Sequence, residues 1–213
     1  ITIELWQCLN DYYHLVRDPW VERTLREGDP VSVFDALIRQ GTLYYGIVEY
    51  TMFKGIGLRF INLGRYLERA LQSTEILDIK FRDLDYDLDR NTDPTYWKYL
   101  LLSISGYALY LKSYKSGFEA RNVVDQILLN DDFPRSLVYS LRQLQRNYDA
   151  LQSSSNEETF RKLQFMVGKI YSKVKYTDVD TIQETGLREY LHEVHDDLTA
   201  LGSSLNKLYF AYA

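Results

Sequence analysis

Residues 55–80 read GIGLRFINLGRYLERALQSTEILDIK, and the spacing of their apolar side chains decides what kind of fold the chain can have. Ile56, Leu63, Ala70 and Leu77 recur every seventh residue, as do Phe60, Leu67, Thr74 and Phe81. Two interleaved sets at that spacing draw one apolar stripe along an α-helix, so a long helix with one face in a core is expected. The other side carries Arg65 and Glu68 together with Leu58, Ile61 and Ile76. A purely solvated face has no need of three aliphatic residues. The second face is therefore expected to be covered too, with opposite charges pressed into the contact.

Working outward, the remaining segments carry the same periodicity. Residues 2–17 are helical in pattern, and Asp18-Pro19 reads as an N-cap followed by proline at the first helical position, so that helix kinks or restarts and ends near Gly28. Asp29-Pro30 repeats the chemistry and opens a helix to Tyr50, in which Gly41 and Gly46 are tolerated breaks or places of close approach. Residues 82–92 are acidic and read as a solvated connection. Asp93-Pro94 starts a helix to Tyr114, and Glu119 to Leu129 makes a short one. Asn130-Asp131-Asp132 caps a helix beginning near Phe133-Pro134, and Ser155 with Glu158 forms a capping box for another. A final helix starts by Asp178, bends at Gly186 and reaches nearly to Ala213. All four prolines then stand where a helix begins, and no segment alternates as a strand with hairpin signals does. The expected fold is all-α, an antiparallel bundle of about seven to eight helices.

With 213 residues, 46% of them hydrophobic, the chain can bury one sizeable core, and a single domain over 1–213 is expected. A net charge of −5 with dispersed Lys and Arg argues against a nucleic-acid or anionic-membrane surface. No apolar run approaches the roughly 20 residues a bilayer span requires. The lone cysteine, Cys8, reads as a packed thiol in a reducing, cytoplasmic setting, since no histidine pattern accompanies it. The 19 tyrosines, many at helical spacing, read as core-edge packing.

Arg65, Glu68 and Arg69 stand three and four residues apart, so they can pair along one helix. Exposed, such a pair is worth under about 1 kcal/mol. Buried, it sets a fixed fork of donors beside a carboxylate and suits a clamp or the recognition of an anion. Glu189-Tyr-Leu-His192, with His195 following, has the Glu-x-x-His spacing of di-iron bundles. A second such motif is missing, Asp11-Tyr-Tyr-His14 having the wrong carboxylate, so a metal at Glu189, His192 and His195 is a remote alternative and no cofactor is expected. Gly55-Ile-Gly57 lacks the rest of a phosphate-binding loop.

Leu63 to Ala70, LGRYLERA, preceded by Gly57 and Phe60 and followed by Ile76-Leu77-Asp78, resembles the Glu-Arg signature of the alpha-E family, a bacterial all-helical domain of unknown biochemical activity. Phe133-Pro134-Arg135-Ser136 after an apolar run and an Asp pair is similar as well, as are Thr51-Met52 and Ser105-Gly106-Tyr107. The resemblance implies that Arg65, Glu68 and Arg69 form a polar cluster inside the bundle, joined by Arg135 and Asp131. Two departures matter. Members usually open with another Glu-Arg helix, which this chain lacks, so it is expected to be a C-terminal portion whose uncovered apolar surface favours homo-oligomers. Ala108 stands where relatives tend to have an acid. The family's association with ATP-grasp-type carboxylate-amine ligases and transglutaminase-like proteins implies an accessory role in making or modifying a peptide or small amide. The alternative is an enzyme or anionic-ligand binder in which Glu68, kept ionised by its arginine neighbours, acts as a base.

Overall fold

The computed structural model describes residues 1–90, 92–151 and 157–210. Among them there is no strand, and the all-α expectation holds, although the helices number eleven with one π-helical turn. The excess over the expected count comes from backbone punctuation that divides continuous apolar patterns. Proline at position 19 has no N–H to give, and Ser105 (φ 57°) and Gly186 (φ 95°) adopt left-handed conformations that end the helix before them.

The chain falls into two compact units, Ile1–Arg59 and Phe60–Ala213. The first holds α1 (Ile3–Arg17), α2 (Pro19–Glu27) and α3 (Pro30–Thr51). Asp18 and Asp29 accept from the backbone N–H groups of Trp20 (2.7 Å) and Val31 (3.0 Å), placing each following proline at the first helical position. α1 packs on α3 through buried Leu5, Cys8, Val33 and Val48, and the Gln40 amide donates to the Cys8 carbonyl at 3.1 Å. Burial, and then the charge of Asp11, push the Cys8 thiol above its usual range, so it is a packed, protonated side chain. α3 runs unbroken through Gly41 and Gly46, and a Cβ on either would meet nothing within 4 Å, so neither marks a close approach.

The long helix α4 (Ile56–Arg82) carries the apolar stripe into the core of the second unit. Leu63, Ala70, Thr74, Leu77 and Phe81 are buried, Phe60 and Leu67 partly so, while Ile56 is exposed. The Phe81 ring lies 5.1 Å from that of Trp97 at the start of α5 (Pro94–Ser103). The segment expected as a solvated connection is anchored instead. Leu84 and Leu88 are buried, because left-handed Asp85 and Tyr86 (φ 52° and 57°) turn the chain back onto α4, where the Tyr86 hydroxyl donates to Asp78 at 2.7 Å.

α6 (Tyr107–Ser113) and α7 (Ala120–Val124) follow, and the π-helical turn Asp125–Leu129 buries Gln126, Ile127 and Leu128. Tyr110 is buried with its ring stacked on Phe118 and its hydroxyl on the Gly117 carbonyl. α8 (Leu137–Asp149) packs on α9 (Glu157–Lys175), and α9 packs on α11 (Leu187–Tyr209), which follows α10 (Val179–Thr185). Their buried faces, Leu141 and Tyr148, Val167 and Ile170, Val194 and Leu198, fill the same core. Ser155 of the expected capping box lies outside the described residues.

α8 starts later than the sequence suggested. Asn130 closes a local turn by accepting from the Asp132 N–H at 3.0 Å, and the helix cap is Ser136, whose hydroxyl accepts from the Tyr139 N–H at 3.1 Å. Pro134 therefore sits two residues before the cap rather than at a helix start. That offset leaves the Pro134 and Arg135 carbonyls outside the helix, where other groups reach them.

Candidate functional site

α4 exploits those carbonyls. Arg69 donates to the Pro134 carbonyl (3.3 Å), and the Ser73 hydroxyl lies 3.0 Å from the Arg135 carbonyl and 2.8 Å from that of Arg69. The Glu-Arg segment and the Asp-Phe-Pro-Arg corner thus meet through backbone acceptors and not through a cluster of buried side-chain charges.

Around this seam the guanidinium groups lie on tyrosine rings. Arg65 sits 4.6 Å and Arg69 5.7 Å from the centroid of Tyr66, and Arg65 also donates to the Tyr66 hydroxyl at 3.0 Å. Tyr66 is buried and lies 6.2 Å from Tyr139 of α8, over which Arg142 is placed at 5.1 Å. Arg142 also pairs with Asp131, donating to its carboxylate and, at 3.3 Å, to its carbonyl. The Arg142 Nε is buried with no acceptor among the described residues. Three planar cations are thereby fixed along two rings, an arrangement that orients donor edges while the π faces supply cation–π attraction of about 0.5–1 kcal/mol each.

The carboxylate did not go where the sequence placed it. Glu68 is exposed and accepts from Gln72 one turn along at 3.1 Å, Arg135 and Asp131 are exposed, and Arg65 and Arg69 are half-buried. The reason is angular. Tyr66, Ala70 and Ser73 take the inward arc of α4, and Gly64, Glu68, Gln72 and Glu75, four or three residues apart, form its outward stripe. Gly64 adds to that openness, since a Cβ there would meet nothing within 4 Å. Consequently Glu68→Ala is expected to change unfolding free energy by no more than about 0.5 kcal/mol in urea titration.

The metal candidates do not converge. Glu189 packs back against Gly186 and lines a cleft with Tyr86 and Arg188, whereas His192 and His195 face α4. Successive three-residue steps along α11 swing the side chains round by about 60° each, which separates Glu189 from His195. Among the described residues no three His, Cys, Asp or Glu side chains group so as to hold a metal ion.

His192 Nε2 instead lies 3.5 Å from Asp78, and His195 Nε2 3.5 Å from Glu75. Burial pushes the Asp78 carboxyl up, but the Tyr86 hydroxyl, the Arg82 guanidinium at 2.7 Å and His192 outweigh it and hold the carboxyl below its ordinary range. A depressed carboxyl stabilises the fold fully above the unfolded-state value of about 3.9 and loses that contribution as pH falls through the lower folded value. Asp78→Asn is expected to cost about 1–3 kcal/mol at pH 7, and the difference from the parent should shrink below about pH 4. Paired denaturant titrations at the two pH values check it.

Tyr66, Tyr139 and Arg142 were not singled out in the sequence. The three-residue step from Tyr139 to Arg142 was legible as a same-face pair, but nothing local tied it to Tyr66 on the distant helix α4. No curated protein and no solved structure matches the chain. The Alpha-E family, described as a predicted alpha-helical domain with a conserved ER motif, matches residues 1–210. The chain, all-α among its described residues, belongs to the Alpha-E family.

Proposed function

We propose that the chain is a non-catalytic accessory module that uses the α4 and α8 face to hold an anionic segment of a protein partner, an ATP-grasp-type carboxylate-amine ligase or transglutaminase-like protein acting on a peptide or small amide. The observation that carries the reading is the set of three guanidinium groups laid on Tyr66 and Tyr139, with the buried Arg142 Nε lacking an acceptor. Stacked arginine fixes its donor fork before binding, so little freedom is lost when a carboxylate arrives, and arginine and tyrosine are the side chains that dominate interface energetics. The identity of the partner rests on the family resemblance.

The enzymatic alternative fits less well. A general base gains its power from a desolvated site beside the reacting proton. Glu68 stands in solvent next to Gln72. The test is co-expression of the chain with an ATP-grasp ligase from the same source, followed by co-purification and ligase turnover with and without the chain. Association that raises turnover supports the reading, and two proteins that never associate, with turnover unchanged, overturn it.

A further inference from the structure

The second unit holds a cleft of about 410 Å³ between α4 and α11, away from the arginine and tyrosine face. One end is acidic. His195 stands between two carboxylates, with Nε2 3.5 Å from Glu75 and Nδ1 3.9 Å from Asp196, both distances longer than a direct hydrogen bond. The middle is apolar. Leu191 forms a buried wall, and Ile79, 61% exposed, lines the cleft with it. At the far end Asp78 is neutralised by Arg82 and held by the Tyr86 hydroxyl, with His192 beside it. Glu75 and Asp196 thus give the acidic end of the cleft a negative pole.

We propose that this cleft binds a small ligand carrying a primary ammonium group on an apolar chain, the ammonium seated at the acidic end formed by Glu75 and Asp196 on either side of His195 and the chain lying along Ile79 and Leu191. An ammonium offers three donors and no acceptor, which suits a pole built of carboxylate oxygens, acceptors only when ionised. A volume of this size lies within the range of small-molecule sites, and apolar walls with a few converging polar groups are their usual construction. The charged groups around the cleft are Glu75, Asp78 and Arg82 from α4 and Asp196 from α11, so the carboxylates outnumber the one guanidinium.

The probe is n-hexylammonium, followed by NMR titration of the whole chain at pH 8 with n-hexanol as the neutral isostere. Expected are saturable shifts confined to residues 74–79 and 191–196, at least tenfold weaker binding of hexanol, and a tenfold or larger loss in Glu75→Gln/Asp196→Asn with unchanged circular dichroism. Equal binding of hexanol, shifts elsewhere, or undiminished binding in Glu75→Gln/Asp196→Asn would each overturn the proposal. Arg69→Ala should leave the amine titration unchanged, so the two sites fail or succeed separately.

Discussion

Replacing Phe81 by alanine is expected to remove about 3–5 kcal/mol of stability from the second unit. Its ring is fully buried at the C-terminal end of α4, tilted 33° against Trp97 at 5.1 Å, with Leu77 one turn before it on the same arc. Truncation loses the transfer energy of the ring and leaves a cavity that Trp97, itself buried, has no room to fill by moving. A loss of that size lowers the midpoint of thermal unfolding by roughly 10 °C in a unit of this length. Differential scanning calorimetry of parent and variant checks it. A shift of about 2 °C or less would mean that α4 does not carry the core.

The second large effect concerns recognition. If the proposed ligase partner docks on this face, Arg69→Ala/Arg142→Ala is expected to weaken the association about a hundredfold or more, since truncating a hot-spot arginine costs about 2 kcal/mol or above and tenfold corresponds to 1.4 kcal/mol. The fold should survive, because each change removes only hydrogen bonds and one ring contact at the edge of the core. Lysine at both positions restores charge but not the planar fork, so it should recover only part of the loss. Biolayer interferometry with the double alanine and double lysine variants provides the measurement.

The helices were legible because the seven-residue recurrence from Leu63 to Leu77 and the Asp-Pro pairs at 18, 29 and 93 are local signals, each set by neighbours within a turn or two. What divided them was less so. Ser105 is an ordinary residue by type, yet it takes the left-handed φ at which the Gly106 N–H closes back onto the Leu101 carbonyl at 2.7 Å, a role usually signalled by glycine. The acidic stretch before α5 misled for a related reason, since its charges announced solvent while Leu84 and Leu88, between them, were held inside by the turn at Asp85 and Tyr86.

At the candidate site, Arg65, Glu68 and Arg69 were read as one enclosed unit because a linear motif groups them. Geometry separates them, the arginines lying on the flank against Tyr66 and the glutamate on the outer stripe with Gln72. The corner at Phe133 to Ser136 was expected to bring the Arg135 side chain to α4, whereas what it offers there is two carbonyls, groups every residue possesses and no composition reveals. Arg142 was missed because its role follows from Asp131 and Tyr139, contacts fixed only once α8 begins at Leu137.

The account turns on α4 working with both sides, one sealed into the second unit and one offered to a partner. Hydrogen–deuterium exchange of the chain, free and in complex with the ligase, reads this directly. New protection in peptides covering residues 63–72 and 134–146, with the already slow amides around Leu77 unchanged, is the predicted result. A stable complex in which those two segments exchange as fast as in the free chain, while protection appears elsewhere, would contradict it.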